Sequence, residues 1–94
     1  MRSFILVSVV LLSGCCESIE DFSAQRAEAA ACSAGDTCVL AGSAQCLCAA
    51  PVNASRAAEI EAAADGVCCG GIQVDCVAFR NPRCENGRCV ADTL

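Results

Sequence analysis

Histidine, lysine, tryptophan and tyrosine are all absent from this chain of 94 residues, which holds only two prolines and three phenylalanines. Each absence excludes something. Without imidazole there is no histidine-based triad and no histidine-held metal water. Without lysine, and with six arginines against eleven acidic residues, there is no basic cluster to meet a phosphate backbone, so no nucleic-acid partner is expected. Carboxylates are plentiful, but no spacing marks an acid and base pair, and they read as solvated surface charge. A C-x-x-C redox motif is also missing. The chain is expected to be a non-enzyme without a cofactor.

What is present begins with a signal. Arg2 is the only charge before Glu17, and it precedes nine nearly pure apolar residues, Phe4 to Leu12. A spanning helix needs ~20 apolar residues, so this run is the core of an export signal rather than a permanent anchor. Residues 1–14 are expected to be removed. The stretch Leu12-Ser13-Gly14-Cys15 resembles the lipobox of bacterial lipoprotein precursors, in which a Leu, two small residues and a Cys are read by a lipidating and cleaving machinery. Moving the frame to Cys16 would put Ser13 where the Leu belongs, so Cys15 is the expected lipid carrier. The resemblance implies a diacylglyceryl group on the Cys15 sulfur and an acylated new amino terminus. Two or more acyl chains anchor a protein stably, so the mature chain is expected at a membrane surface. Cys16 in second place favours an outer membrane where one exists. Glu17, Glu20 and Asp21 beside the anchor are the opposite of a polybasic docking segment, which leaves the lipid to hold the chain alone. An ordinary secretory signal, with the product released, is the alternative.

Eleven cysteines are an odd set for an exported chain. Removing Cys15 as lipid carrier leaves ten: Cys16, Cys32, Cys38, Cys46, Cys48, Cys68, Cys69, Cys76, Cys84 and Cys89. An even set in an oxidising compartment reads as a disulfide framework. The apolar content is mostly Ala, Val and Cys, which offer little to bury, and a core of this size rarely supplies more than ~3–5 kcal/mol, so covalent staples are needed. A vicinal Cys68–Cys69 bridge would form a strained ring, so the two sulfurs are expected to diverge, one into the core and one toward Cys16.

The pattern predicts a small disulfide-rich α+β fold, with one Ala-rich helix over about 53–65 and a short antiparallel sheet that includes a carboxyl-terminal hairpin over about 83–91. In the helix, Asn53 or Ser55 can cap, Ile60 is the only large apolar residue, Ala57, Ala63 and Ala64 share its face, and Gly66 offers a left-handed stop. Asn53-Ala54-Ser55 also matches a glycosylation acceptor, but its expected role is the cap. Val39-Leu40 and Val74 to Phe79 read as strands. Asn86-Gly87 is the preferred pair for a type I′ turn, which sets Cys84 opposite Cys89 and Glu85 opposite Arg88. Those two cysteines can bridge directly or pair elsewhere. Residues 15–31 form a lipidated amino end that is either a helical spacer, with Ser18 and Asp21 as a capping box, or a helix packed on the domain of residues 32–94.

Two further chemical readings accompany the framework. Val77 to Arg83, between Cys76 and Cys84, carries Arg80, Pro82 and Arg83 beside Phe79, the make-up of a protease-inhibiting loop, although a strand running into a turn explains it as well. Cys46-x-Cys48 and Cys68-Cys69 echo thiolate metal clusters, but export oxidises such thiols and no zinc-spaced pairs exist, so no metal is expected. Cys32-x5-Cys38-Val-Leu, Cys46-x-Cys48, Val-Asp75-Cys76 and the final Cys84-Glu-Asn-Gly-Arg-Cys89-Val look like the small eight-cysteine-cluster lipoproteins of myxobacteria. That resemblance implies a fold type and bridge-forming roles for eight of the cysteines, and no activity. The added Cys16 and the doubled Cys68-Cys69 depart from it.

Overall fold

The computed structural model describes residues 16–93, so Cys15 and the signal segment lie outside the described residues. The first helix, α1, spans Ile19–Ala29. It starts because Ser18 is extended and its Oγ accepts the Asp21 N–H at 3.0 Å, satisfying one of the amides that a helix start leaves without a partner. Glu20 and Asp21 in the first turn and Arg26 in the last suit the helix dipole. Phe22 is fully buried, Ala29 is nearly so, and Ile19 packs against the same core. Of the two readings of this segment, the helix packed against the core is the one the described residues show.

Strands β1 (Cys38–Ala41) and β2 (Ala50–Asn53) pair antiparallel, with Val39 opposite Val52 and Leu40 opposite Pro51. Val52 is completely buried, and that burial explains why residues 50–53 join a sheet instead of starting the helix. A 3-10 turn follows over Ala54–Arg56, and α2 spans Ala57–Asp65. Asn53 is a cap as expected, its Oδ1 accepting the Ser55 N–H at 3.0 Å, but it caps the 3-10 turn and the α-helix itself begins four residues later. Gly66 ends α2 at φ −94°, so the left-handed stop expected there is not used. Its N–H is instead satisfied by the Ala63 carbonyl at 3.0 Å. Ile60 is fully buried, with Ala64 beside it and Ala57 and Ala63 at the margin, the face that the sequence marked.

The hairpin of β3 (Phe79–Glu85) and β4 (Arg88–Thr93) is longer than the predicted 83–91. Asn86 and Gly87 both take positive φ, 52° and 83°, as a type I′ turn requires. Cys84 faces Cys89 and Glu85 faces Arg88. The register breaks between Arg80 and Arg83, where Asn81 has φ 59° and Pro82 has no N–H to give to the ladder. Of Val74 to Phe79, expected as a strand, only Phe79 joins one; Val74 to Ala78 is an exposed loop with no strand pairing among the described residues. The two hairpins form separate two-stranded sheets, with β2 lying against β4 and β1 against β3.

The core is small in content as well as extent. Its buried members are four alanines, three cysteines and only four larger side chains, Phe22, Leu47, Val52 and Ile60. Gly42 allows the last gap to close. At φ +90° a Cβ here would stand 3.0 Å from the Phe22 ring, 3.0 Å from the Arg26 guanidinium and 3.1 Å from Ile60. Only glycine fits that position without strain. The Arg26 guanidinium lies 5.0 Å from the centre of the Phe22 ring and donates through Nη1 to the Gly42 carbonyl at 3.2 Å and the Cys48 carbonyl at 2.6 Å. Partial burial lowers its pKa from the usual arginine value.

Five bridges complete the fold: Cys16–Cys68, Cys32–Cys84, Cys38–Cys89, Cys46–Cys69 and Cys48–Cys76. Their Cα separations, 5.3, 6.0, 5.7, 5.4 and 5.5 Å, lie in the ordinary disulfide range. Cys84 and Cys89, although opposite in the hairpin, do not bridge to each other. Each reaches back instead, to Cys32 and Cys38 respectively, so the hairpin is stapled to the segment that enters β1. Cys68 and Cys69 diverge, to Cys16 and to Cys46.

Candidate functional site

The amino end of the described chain is stitched to the end of α2. Cys16 is bridged to Cys68, and between them Glu17 pairs with Val67 as a short parallel bridge. The Glu17 N–H donates to the Gly66 carbonyl at 2.9 Å, and the Cys68 N–H donates to the Glu17 carbonyl at 3.0 Å. One covalent link on Cys16 and two backbone hydrogen bonds on Glu17 thus fix the two residues that follow Cys15 in sequence. A shallow cavity of about 420 Å³ opens here, lined by Cys16, Glu17, Ser18, Ile19, Glu20 and Cys68.

The divergence of Cys68 and Cys69 launches a loop from this corner. Gly70 and Gly71 take positive φ, 58° and 84°, which turns the chain outward after Cys69. The Ile72 N–H closes the turn on the Cys69 carbonyl at 3.0 Å, and the Val74 N–H donates to the Gln45 carbonyl at 3.2 Å. Cys46–Cys69 and Cys48–Cys76 pin the loop at both ends to the segment after β1. Every residue from Gly70 to Ala78 is exposed. Ile72 (53% exposed), Val74 (42%) and Val77 (62%) are the exposed large apolar side chains among the described residues. Sequence reasoning missed this feature, because Val74 to Phe79 reads as a strand. The Gly70-Gly71 pair was the signal that the segment turns away.

The predicted arginine loop divides into two parts. Val77 and Ala78 are loop, and Phe79 to Arg83 belong to β3. Arg83 is engaged: Nε donates to Glu85 at 2.7 Å, Nη1 to the Asn81 carbonyl at 3.0 Å, and Nη2 meets Asp92 at 3.0 Å. Those carboxylates raise its pKa. The Arg80 side chain makes no hydrogen bond or ion pair among the described residues, and the residue is exposed beside the irregular step in the strand. Glu85, expected opposite Arg88, faces it in register but bonds Arg83. Arg88 donates to the Ala27 carbonyl at the end of α1 at 3.3 Å.

For a metal, the sulfurs of Cys32, Cys38 and Cys89 lie within 4.8 Å of one another. All three are committed to bridges, and a bridged sulfur carries no thiolate charge for a cation. Among the described residues no helix is long and apolar enough to cross a membrane. Compared with known proteins, the chain matches no family model, no curated protein and no solved structure.

Proposed function

We propose that this chain is a non-catalytic lipoprotein of the cell envelope, a disulfide-stabilised structural or interaction module held at a membrane surface by lipid on Cys15. The observation that carries the reading is the lock at Cys16. A lipid on the preceding residue would set the folded body directly against the bilayer, since no spacer intervenes before the Cys16–Cys68 bridge and α1. Five bridges in so small a chain suit an oxidising compartment beyond the cytoplasm. The exposed loop Gly70–Ala78 supplies a contact surface of the kind an interaction module needs. Protease inhibition has weaker support, because the Arg83 guanidinium is occupied and the backbone around it is paired in a strand.

The test is metabolic labelling of the full-length precursor with a clickable palmitate analogue in a bacterial host. Label is expected on the wild type and on Cys16→Ala, and is expected to vanish from Cys15→Ala. An unlabelled wild type recovered from the medium would instead mark a secreted protein.

A further inference from the structure

The exposed apolar loop leaves the same corner of the fold as the amino end. Cys68 holds Cys16 with a Cα separation of 5.3 Å, and Cys69, its chain neighbour, starts the loop. Three residues lie between Cys68 and Ile72, and the four steps along the chain limit their Cα distance to about 14 Å even when fully extended. Ile72 is thus held by covalent structure in the neighbourhood of Cys16, the residue that follows Cys15 in sequence, and Val74 lies two residues further along the same loop. The surroundings are poor in charge of the attracting sign. No lysine or arginine occurs from residue 57 to residue 79 or from residue 16 to residue 25, and Asp75 is the one charged residue in the loop. Headgroup attraction is therefore unavailable, and apolar burial is the contact this surface can make.

We propose that Ile72 and Val74 form a second membrane contact, entering the interfacial layer of the bilayer that holds the lipid on Cys15. The inference rests on the lipid-anchor reading and extends it to orientation. Two aliphatic side chains partition weakly on their own. Attached beside an acyl anchor, their insertion becomes an intramolecular event at high effective concentration, so weak intrinsic partition suffices. The paired bridges Cys46–Cys69 and Cys48–Cys76 hold the loop outward in the free protein, so little ordering is lost on contact. The result is a domain with a fixed underside, α2's carboxyl end and the loop toward the lipid, and the Ser33–Asp36 turn away from it at the far end of α1.

The chain has no tryptophan, so single-tryptophan reporters are clean. Ile72→Trp, Val74→Trp and Ala34→Trp, the last in the exposed turn beyond α1, are purified as the lipidated protein and placed in phosphatidylcholine vesicles with and without brominated acyl chains. Intact mass establishes the lipid on each sample. The Ile72 reporter, supported by Val74, is expected to be quenched at least about twofold more than the Ala34 reporter, because the interfacial layer reaches acyl chains within about 5–10 Å. Lipidated protein whose Ile72 reporter is quenched no more than Ala34 overturns the second contact and leaves the anchor standing. Protein without lipid on Cys15 overturns the anchor and the contact together.

Discussion

Full reduction of the five bridges at neutral pH, without denaturant, is expected to abolish the far-ultraviolet helical signal and the cooperative melting transition. Three of the bridges close loops with sequence separations of 52, 52 and 51, and the others close 23 and 28. On the chain-entropy view each contributes about 3–4 kcal/mol, less in sum than the parts because the loops overlap. Against these stand four larger buried side chains, worth about 1.5–3 kcal/mol each, and the entropy of ordering the whole chain. The covalent contribution is the larger lever, and without it the core is too small. An order of opening follows from exposure. Cys16 and Cys68 are exposed, whereas Cys38 and Cys89 are each 5% exposed, so limiting reductant should open Cys16–Cys68 first and Cys38–Cys89 late. Alkylation and peptide mapping at graded reductant would read that order. A fully alkylated chain that kept its helical signal would refute the dependence on bridges.

Phe22→Ala is expected to be the most damaging single apolar truncation, costing about 3–5 kcal/mol in denaturant unfolding of the oxidised protein. The ring is completely buried, forms the surface against which Arg26 stacks at 5.0 Å, and meets the space that Gly42 leaves open. Its removal leaves a cavity and takes the aromatic face from a half-buried guanidinium that has no carboxylate partner among the described residues. For a domain of this length each kcal/mol moves Tm by about 4–8 °C, so the drop is measurable even with the bridges intact. Phe79→Ala, at a half-buried position on the rim of β3, should cost distinctly less. Equal losses from the two substitutions would contradict the placement of the core around Phe22.

The parts of this fold that were legible in the sequence are those with local chemistry. Asn86-Gly87 specified a turn through backbone φ, Ser18 and Asn53 specified caps through side-chain oxygens, and Ile60 among alanines specified a helix face. The doubled cysteines also declared their divergence, because a vicinal ring is strained. What stayed hidden depends on partners distant in the chain. Strand β2 is four residues long and contains Pro51, so neither period nor composition separates it from a helix start; the burial of Val52 decides it. Val74 to Phe79 has strand composition, but strand formation requires a neighbour with free backbone groups, and among the described residues only Phe79 has one. Bridge connectivity among ten cysteines is a tertiary property, and Cys84 and Cys89 illustrate the point: opposite in their hairpin, they pair outside it. The role of α1 turned on one aromatic side chain, which cannot reveal by its spacing whether a core is there to receive it.

The proposal of an exported, lipid-anchored framework is tested most directly by the intact mass of the protein extracted from membranes, measured before and after reduction. The expected species lacks residues 1–14, carries a diacylglyceryl and acyl increment on a chain beginning at Cys15, and gains about 10 Da on reduction, two hydrogens for each bridge. A species without the lipid increment, or one whose mass is unchanged by reduction, would contradict it.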